Sequence, residues 1–346
     1  MQSESTDYMR GRLTTLIERI DLSRSEARDL FDRLFDGGFG EPEAAALLVA
    51  LRMKGETRIE LAAAASSLRE RMIPFPVSGS DVLDTCGTGG DGTGTFNIST
   101  AVAFVAAAAG VRVVKHGNRA ASGRSGSADV LRELGLPAEA GPQWSARCLR
   151  EAGLAFCFAP HFHPAMTRLA DLRRRLGVRT ILNSLGPLAN PAGAVYQLVG
   201  VGRPDLIDPF AGALSDLGTR HALVVCGTHG FDEVSLSGPT LVREIRAGSV
   251  VAQEWTPAEF GLESCRLAEL QVGDVAGSAA VIRDVLADVP GAPRRMVLAN
   301  AAAALLAAEH ASSLRDGVAI ADKAIRSGQA RGVLERLLAV PVDSQD

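Results

Sequence analysis

The sequence predicts an α/β protein in which a small all-helical N-terminal domain, residues 1–76, precedes a larger α/β domain, residues 77–346, with a mainly parallel central sheet and helices on both faces. Two observations carry this expectation. Residues 8–72 show helical periodicity interrupted by glycine, whereas from Val82 onward short β-branched runs alternate with helical stretches. A chain of 346 residues has ample material for the buried core such an arrangement needs.

In order along the chain, helices are expected at 8–20, from Ser23 or Ser25, at 42–53 and at 58–72. Gly37-Gly38 and Gly55 punctuate them, and Pro74 and Pro76 close the segment. Strands are expected at 82–84, 111–114, 154–158, 198–201 and 222–225. Their alternation with helices implies parallel pairing, because a parallel neighbour requires a crossover connection. Pro164 opens and Gly177 stops a further helix, 164–177, expected to pack on the N-terminal domain. Residues 278–339 read as three or four helices.

Net charge is −4 with both signs interspersed, so no overall basic field gathers nucleic acid or an anionic membrane. An aromatic share of 5% argues against stacking on single-stranded bases. The cysteines at 86, 148, 157, 226 and 265 are odd in number and scattered, which points to a reducing cytoplasm rather than a disulfide scaffold. No export leader is recognisable at the N-terminus. The alanine-rich runs at 101–109 and 299–308 are too short to span a bilayer and read as buried helices.

Four segments carry chemistry. The first, Gly87-Thr88-Gly89-Gly90-Asp91-Gly92-Thr93-Gly94-Thr95-Phe96-Asn97-Ile98-Ser99-Thr100, follows a strand and precedes a helix. Its glycines let the backbone approach a ligand, and successive N–H groups with a helix N-terminus make an anion site suited to phosphate or pyrophosphate. The alternative is a flexible turn capped by Ser99 or Thr100. The segment matches neither the ATPase phosphate loop nor the dinucleotide fingerprint.

The second segment, Lys115-His116-Gly117-Asn118-Arg119, ends the next strand and is followed by Ser122-Gly123-Arg124-Ser125-Gly126-Ser127. Ligands of open α/β sheets bind at the carboxyl ends of strands, so donors and charge gathered there suggest a site, although a solvated basic loop would look the same. The third is the Asp232-Glu233 pair, again after a strand. Adjacent carboxylates are usually a solvated turn, but beside a pyrophosphate site they suit magnesium, which takes one or two carboxylates plus substrate phosphates. The fourth runs from His163-Pro164 through Arg173-Arg174-Arg175 to the turn Asn183-Ser184-Leu185-Gly186-Pro187-Leu188-Ala189-Asn190-Pro191. At about 100° per residue, Ala165, Met166, Leu169, Leu172 and Leu176 form an apolar stripe that includes Arg173 but excludes Arg174 and Arg175. Arg173 therefore points inward and needs an anionic partner, either a ligand carboxylate or an acidic residue of the fold.

Together these motifs resemble the anthranilate phosphoribosyltransferase family, which carries GTGGDG, TFNIST, KHGNR, Gly-Pro-Leu-x-Asn-Pro and an Asp-Glu pair in this order; the resemblance covers nearly the whole chain. It implies Mg2+-dependent transfer of the 5-phosphoribosyl group of phosphoribosyl pyrophosphate (PRPP) to the amine of anthranilate, in tryptophan biosynthesis. By motif, PRPP would meet Gly87, Thr88, Gly89, Gly90, Asp91, Thr95, Asn97, Ser99, Thr100, Lys115 and Ser127, and anthranilate would meet Gly87, His116, Asn118 and Arg173. Ser99, Asp232 and Glu233 would address magnesium, two ions with PRPP, and no residue is assigned as a general acid or base. A homodimer through the N-terminal helices is also implied, with no nucleic-acid or membrane partner. Gly123, Thr167 and Gly277-Ser278 depart from the family's usual serine, lysine and Glu-Asn. A pyrimidine nucleoside phosphorylase, which shares a KHGNR-like stretch, and a non-catalytic nucleic-acid-binding relative remain the alternatives.

Overall fold

The computed structural model describes residues 2–76, 81–120 and 125–342. Four helices come first: α1 (Gln2–Ile17), α2 (Arg24–Asp36), α3 (Glu41–Lys54) and α4 (Arg58–Glu70). Their ends follow local chemistry. Ser23 with Glu26 and Thr57 with Glu60 form capping boxes at the starts of α2 and α4, and Gly37, at φ 78°, closes α2 in the left-handed region. Leu30, Phe31, Leu34, Leu47, Leu51, Leu61 and Leu68 turn inward and are buried.

The chain then runs β1 (Leu83–Gly87), α5 (Ile98–Ala108), β2 (Val113–Gly117), α6 (Ser127–Glu133), α7 (Pro142–Ala152) and β3 (Leu154–Phe158). Three short helices follow: α8 (Ala159–Phe162), α9 (Pro164–Arg168) and α10 (Ala170–Leu176). Next come β4 (Tyr196–Gly200), α11 (Ile207–Asp216), β5 (His221–Gly227), β6 (Thr240–Arg246), β7 (Ser249–Trp255) and α12 (Pro257–Phe260). Four helices end the described chain: α13 (Val275–Leu286), α14 (Ala292–Ala307), α15 (Leu314–Arg326) and α16 (Gln329–Ala339).

The sheet order is β3-β2-β1-β4-β5-β6-β7, parallel from β3 through β5 and antiparallel from β5 to β7. Helices cover both faces. On β4 and β5, Leu198, Leu223 and Val225 join the core beneath the alanine-rich α5 and α14, while Val199, Ala222 and Val224 join the core shared with the N-terminal helices and α11. The small side chains of α5 and α14 let the two helices pack closely, and no helix among the described residues is long and apolar enough to cross a membrane.

Two expectations need correction. The single helix 164–177 is two, because Leu169 flattens to ψ 1° and its N–H bonds Met166 O, three residues back, which re-phases the ladder between α9 and α10. Ala165, Leu169 and Leu172 still bury in the core of the N-terminal helices. The β6–β7 hairpin was not anticipated either. Its two-residue turn is Ala247-Gly248, with φ of 48° and 84°, and it lacks the Asn-Gly signature by which such turns are recognised.

Candidate active site

β1 is flanked by β2 on one side and β4 on the other, so the connections leave it in opposite directions and open a crevice at the strands' carboxyl ends. A cleft of ≈ 690 Å³ occupies that place. Every described residue assigned to substrate or metal from the sequence lines it except Thr100, whose hydroxyl turns back to Asn97 Oδ1 at 3.3 Å and faces the interior behind α5. The Gly123 departure lies outside the described residues.

The glycine loop leaves β1 at Gly87 and is held from three sides. Thr88 N–H donates to Gly200 O (2.8 Å) at the end of β4, and Gly202 N–H donates to Thr88 Oγ1 (3.1 Å). The far limb pairs with the segment before α13: Val272 N–H reaches Gly94 O (2.9 Å), Phe96 N–H reaches Leu270 O (3.0 Å), and Gln271 Nε2 donates to Thr93 O (2.8 Å). Between these anchors Gly89, Gly90, Gly92 and Gly94 adopt φ of 65–75°, a region that side chains disfavour. Asp91 holds the tip from within, accepting the N–H and hydroxyl of Thr93 at 3.0 and 2.8 Å.

Asn97 stands at the N-cap position of α5 without a side-chain capping bond, and its backbone N–H donates to the buried Ser278 Oγ at 2.9 Å. The Gly277-Ser278 departure thus supplies a structural contact to the TFNIST stretch. Asn97 Nδ2 reaches Ser125 Oγ (2.8 Å), drawing the segment before α6 toward the loop, and Ser127 Oγ donates to Asn118 O (3.3 Å).

Lys115 is 4% exposed, and its ammonium donates to Thr85 O and to Ser99 Oγ, the latter at 3.1 Å. Burial lowers its pKa, while Asp84 leads the negative groups that resist the fall. Asp84 is wholly buried in β1. It accepts His116 N–H (3.2 Å) and Asn190 Nδ2 (2.8 Å), so the Gly-Pro-Leu-x-Asn-Pro turn is a structural brace behind the KHGNR strand. His116 Nδ1 lies 3.0 Å from Gly186 O, a carbonyl that only accepts; the proton therefore sits on Nδ1, and Nε2 is an acceptor with no partner among the described residues. Burial lowers the pKa of His116 and pushes that of His163, 4.9 Å away ring to ring, to about 3, so both rings are neutral at pH 7.

Asp232 and Glu233 follow β5 and cross the floor of the cleft. Asp232 Oδ2 accepts Gly89 N–H at 2.9 Å, and Glu233 Oε1 accepts Ser99 N–H at 3.2 Å. Withdrawal from water, reinforced by Asp91, raises Asp232 to about 7; the same withdrawal, reinforced by Asp232, raises Glu233 well above its usual range. Carboxylates held together in this way are poised to take a cation. Among the described residues no three His, Cys, Asp or Glu side chains converge to hold a metal alone. That donor set fits magnesium, which completes its shell with water and substrate phosphates, better than a metal needing an all-protein cage.

On the opposite wall Arg173 projects from α10 into the cleft, largely buried, with Nε unpaired and no carboxylate partner among the described residues. Arg174 and Arg175 are exposed and pair with Asp171 and Glu41. Asn183, from the fourth segment, also lines the cleft, as do Arg179 and Gln271, which were not singled out from the sequence. The available signal for Arg179 was its place just beyond the helix stop at Gly177.

The fold and site have known counterparts. Residues 12–72 match the helical bundle domain, and residues 79–331 the a/b domain, of a glycosyl transferase family. The anthranilate phosphoribosyltransferase of Anaeromyxobacter sp. (strain Fw109-5) is 49% identical over 95% of this chain and 97% of its own. The crystal structure of anthranilate phosphoribosyltransferase from Thermus thermophilus superposes with a TM-score of 0.88 at 43% identity, covering 95% of this chain and 98% of that one. The Saccharomyces cerevisiae enzyme in complex with PRPP and Mg superposes at 0.86 with 25% identity, covering 98% of both. By sequence and by fold, the chain belongs to the anthranilate phosphoribosyltransferase family of glycosyl transferases.

Proposed function

We propose that this chain transfers the 5-phosphoribosyl group of PRPP to the amine of anthranilate, giving N-(5-phosphoribosyl)anthranilate and pyrophosphate. The observation that carries the reading is one cleft with left-handed glycines on one wall, adjacent carboxylates on its floor, and on the other wall an inward guanidinium with no carboxylate partner among the described residues. Gly87, Thr88, Gly89, Gly90, Asp91, Thr95, Asn97, Ser99, Lys115 and Ser127 receive PRPP, along with the backbone at Thr100. Gly87, His116, Asn118 and Arg173 receive anthranilate, its carboxylate on the Arg173 fork.

In the reaction the C1–O bond of PRPP breaks with its electron pair going to pyrophosphate, the amine nitrogen closes the new C1–N bond, and the nitrogen then sheds one of its two protons to the departing pyrophosphate or to solvent. Developing negative charge on the leaving group calls for preorganised donors, which the loop N–H groups and Lys115 supply. Ser99, Asp232 and Glu233 would hold magnesium there, and the ion would supply positive charge for the leaving group. The aromatic amine is neutral at pH 7, so no strong base is needed before attack. His116 Nε2, the free acceptor, orients an amine N–H. Loss of anthranilate fluorescence on adding PRPP and Mg2+, with nucleoside plus phosphate as control, tests the assignment; turnover only in the control would replace it with a phosphorylase.

The rest of the reading is two magnesium ions per PRPP, a division at residues 76/77, a cytoplasmic location and a homodimer through the N-terminal helices. The dimer is supported by Ile17 and Met53, which are 66% and 74% exposed on those helices. Light scattering at micromolar protein tests it, and a fully active monomer would overturn it.

A further inference from the structure

Two residues beyond the glycine that stops α10, Arg179 crosses the cleft from the wall that carries Arg173 to the wall that carries the glycine loop. Its Nη2 donates to Thr88 O at 2.7 Å. Its Nη1 stands only 1.7 Å from where a Cβ on Gly90 would be, and the guanidinium carbon 2.7 Å from it. The Thr88–Gly90 turn is therefore wrapped around one planar group, and Gly90 lacks a side chain where Arg179 fills the space. Burial of the guanidinium is opposed chiefly by Asp232, which itself holds Gly89 N–H. Thr88 O, Gly90 Cα and Asp232 thus surround Arg179, while the chain on its C-terminal side turns at once into Thr180–Asn183, where Thr180 N–H donates to Asn183 Oδ1 at 2.9 Å.

We infer that Arg179 is a positioning residue for the PRPP half of the site: it holds the glycine loop in its ligand-receiving form from the opposite wall, and Gly90 is glycine to admit it. The inference rests on the transferase reading. Each terminal nitrogen has its own task, one bonding Thr88 and the other filling the Gly90 space. A lysine, with a single nitrogen at its tip, can do only one of them. A methyl group at Gly90 would push the guanidinium off Thr88, and would also place a side chain at φ 70°. Only the first of these two effects depends on Arg179, so the two sites must be energetically coupled.

The test is a double-mutant cycle on Gly90→Ala and Arg179→Ala, read as KM for PRPP, KM for anthranilate and kcat. Arg179→Ala is expected to raise KM for PRPP about tenfold, with a smaller rise for anthranilate, and Arg179→Lys to fall between it and wild type. Gly90→Ala should raise KM for PRPP about tenfold more in the wild-type background than in Arg179→Ala, the coupling expected for groups in direct contact. Equal fold effects of Gly90→Ala in both backgrounds, or a KM for PRPP unchanged by Arg179→Ala, would overturn the inference. Should Arg179→Ala fail to fold, the same cycle on Arg179→Lys decides by the same criterion. Wild-type turnover of PRPP and anthranilate is measured first, so that its absence condemns the transferase reading and its presence leaves the cycle to judge Arg179 alone.

Discussion

Asp232 Oδ2 accepts the N–H of Gly89 at 2.9 Å, so a carboxylate following β5 holds the glycine loop that follows β1. The bond crosses β4, where Gly200 packs against the Asp232 backbone so closely that a Cβ would lie 1.6 Å from Asp232 O. The glycine loop and the Asp232-Glu233 turn, proposed to receive phosphate and metal, are thereby tied to each other, and this has consequences for stability as well as for activity.

Asp232 in the ligand-free fold has a pKa of about 7 against an ordinary 3.8. A raised value means that the folded state binds the proton more tightly than the unfolded one. The contribution of this group to stability is therefore fully present below pH 3.8 and is lost as pH rises through about 7. Asp232→Asn removes that dependence. The expected result is a variant without Mg2+-supported turnover whose ligand-free Tm at pH 8 exceeds wild type by on the order of a few degrees, with the gap closing toward pH 4. Scanning calorimetry across pH checks it; a variant that is less stable than wild type at pH 8 would show that the carboxylate supports the fold.

Gly89 makes the second case. Its φ is 65°, and among the described residues a Cβ there would meet no atom within 4 Å, so the penalty of a side chain comes from backbone conformation and from the ligand's space. Gly89→Val should weaken PRPP binding by about a hundredfold or more, with a loss of stability near that expected for one strained residue, about 1–3 kcal/mol. Titration calorimetry with PRPP and Mg2+ is the measurement, and wild-type affinity would mean that the loop is only a turn.

What could be read from the sequence divides along physical lines. Local patterns sufficed for the helical domain, the parallel strands and the cleft walls, because glycine spacing, capping residues and β-branched runs act within a few residues. Arg179 and Gln271 escaped notice, and Ser278 was noted only as a departure, because their contacts with residues 88–97 join distant parts of the chain. The hydroxyl of Thr100 turns away from the cleft because one step along a helix from Ser99 rotates the next side chain by about 100°. The hairpin β6–β7 lacked a strong turn signal, and the break at Leu169 carries neither glycine nor proline.

Asn190 tests the brace behind the site. Its amide donates to Asp84 Oδ2 and Val114 O, both at 2.8 Å, and accepts Ala192 N–H at 2.8 Å. Truncation would leave a wholly buried carboxylate with one fewer donor. Asn190→Ala is expected to cost about 2–4 kcal/mol in urea unfolding, above a single hydrogen bond because three bonds are lost and a buried carboxyl group keeps one donor fewer. A change of less than about 1 kcal/mol would mean that water replaces the amide at Asp84.

The arginine triplet gives the last prediction, and the helix break at Leu169 makes it sharper. Phase measured from Met166 no longer applies across α9 and α10, but within α10 Leu172 and Arg173 both turn inward while Arg174 and Arg175 stay exposed. Arg175 reaches Glu41 at 2.7 Å, with both side chains about half exposed, and a pair of this kind contributes about 0–1 kcal/mol. Arg173 differs in every respect. It is largely withdrawn from water, burial lowers its pKa, Arg179 adds repulsion, and no acidic group among the described residues neutralises it. An internal salt bridge, the alternative open at the level of sequence, is thus absent among the described residues. An inward guanidinium in that position costs stability until an anion arrives, and a benzoate-type carboxylate matches its planar fork. Arg173→Ala should raise KM for anthranilate about tenfold or more, leave KM for PRPP nearly unchanged and not lower Tm, whereas Arg175→Ala should be close to silent in all three. Steady-state kinetics with each substrate varied in turn, beside a thermal melt, separate the outcomes. A large fall in Tm for Arg173→Ala with equal losses for both substrates would assign the residue to the fold and leave the anthranilate carboxylate to another partner.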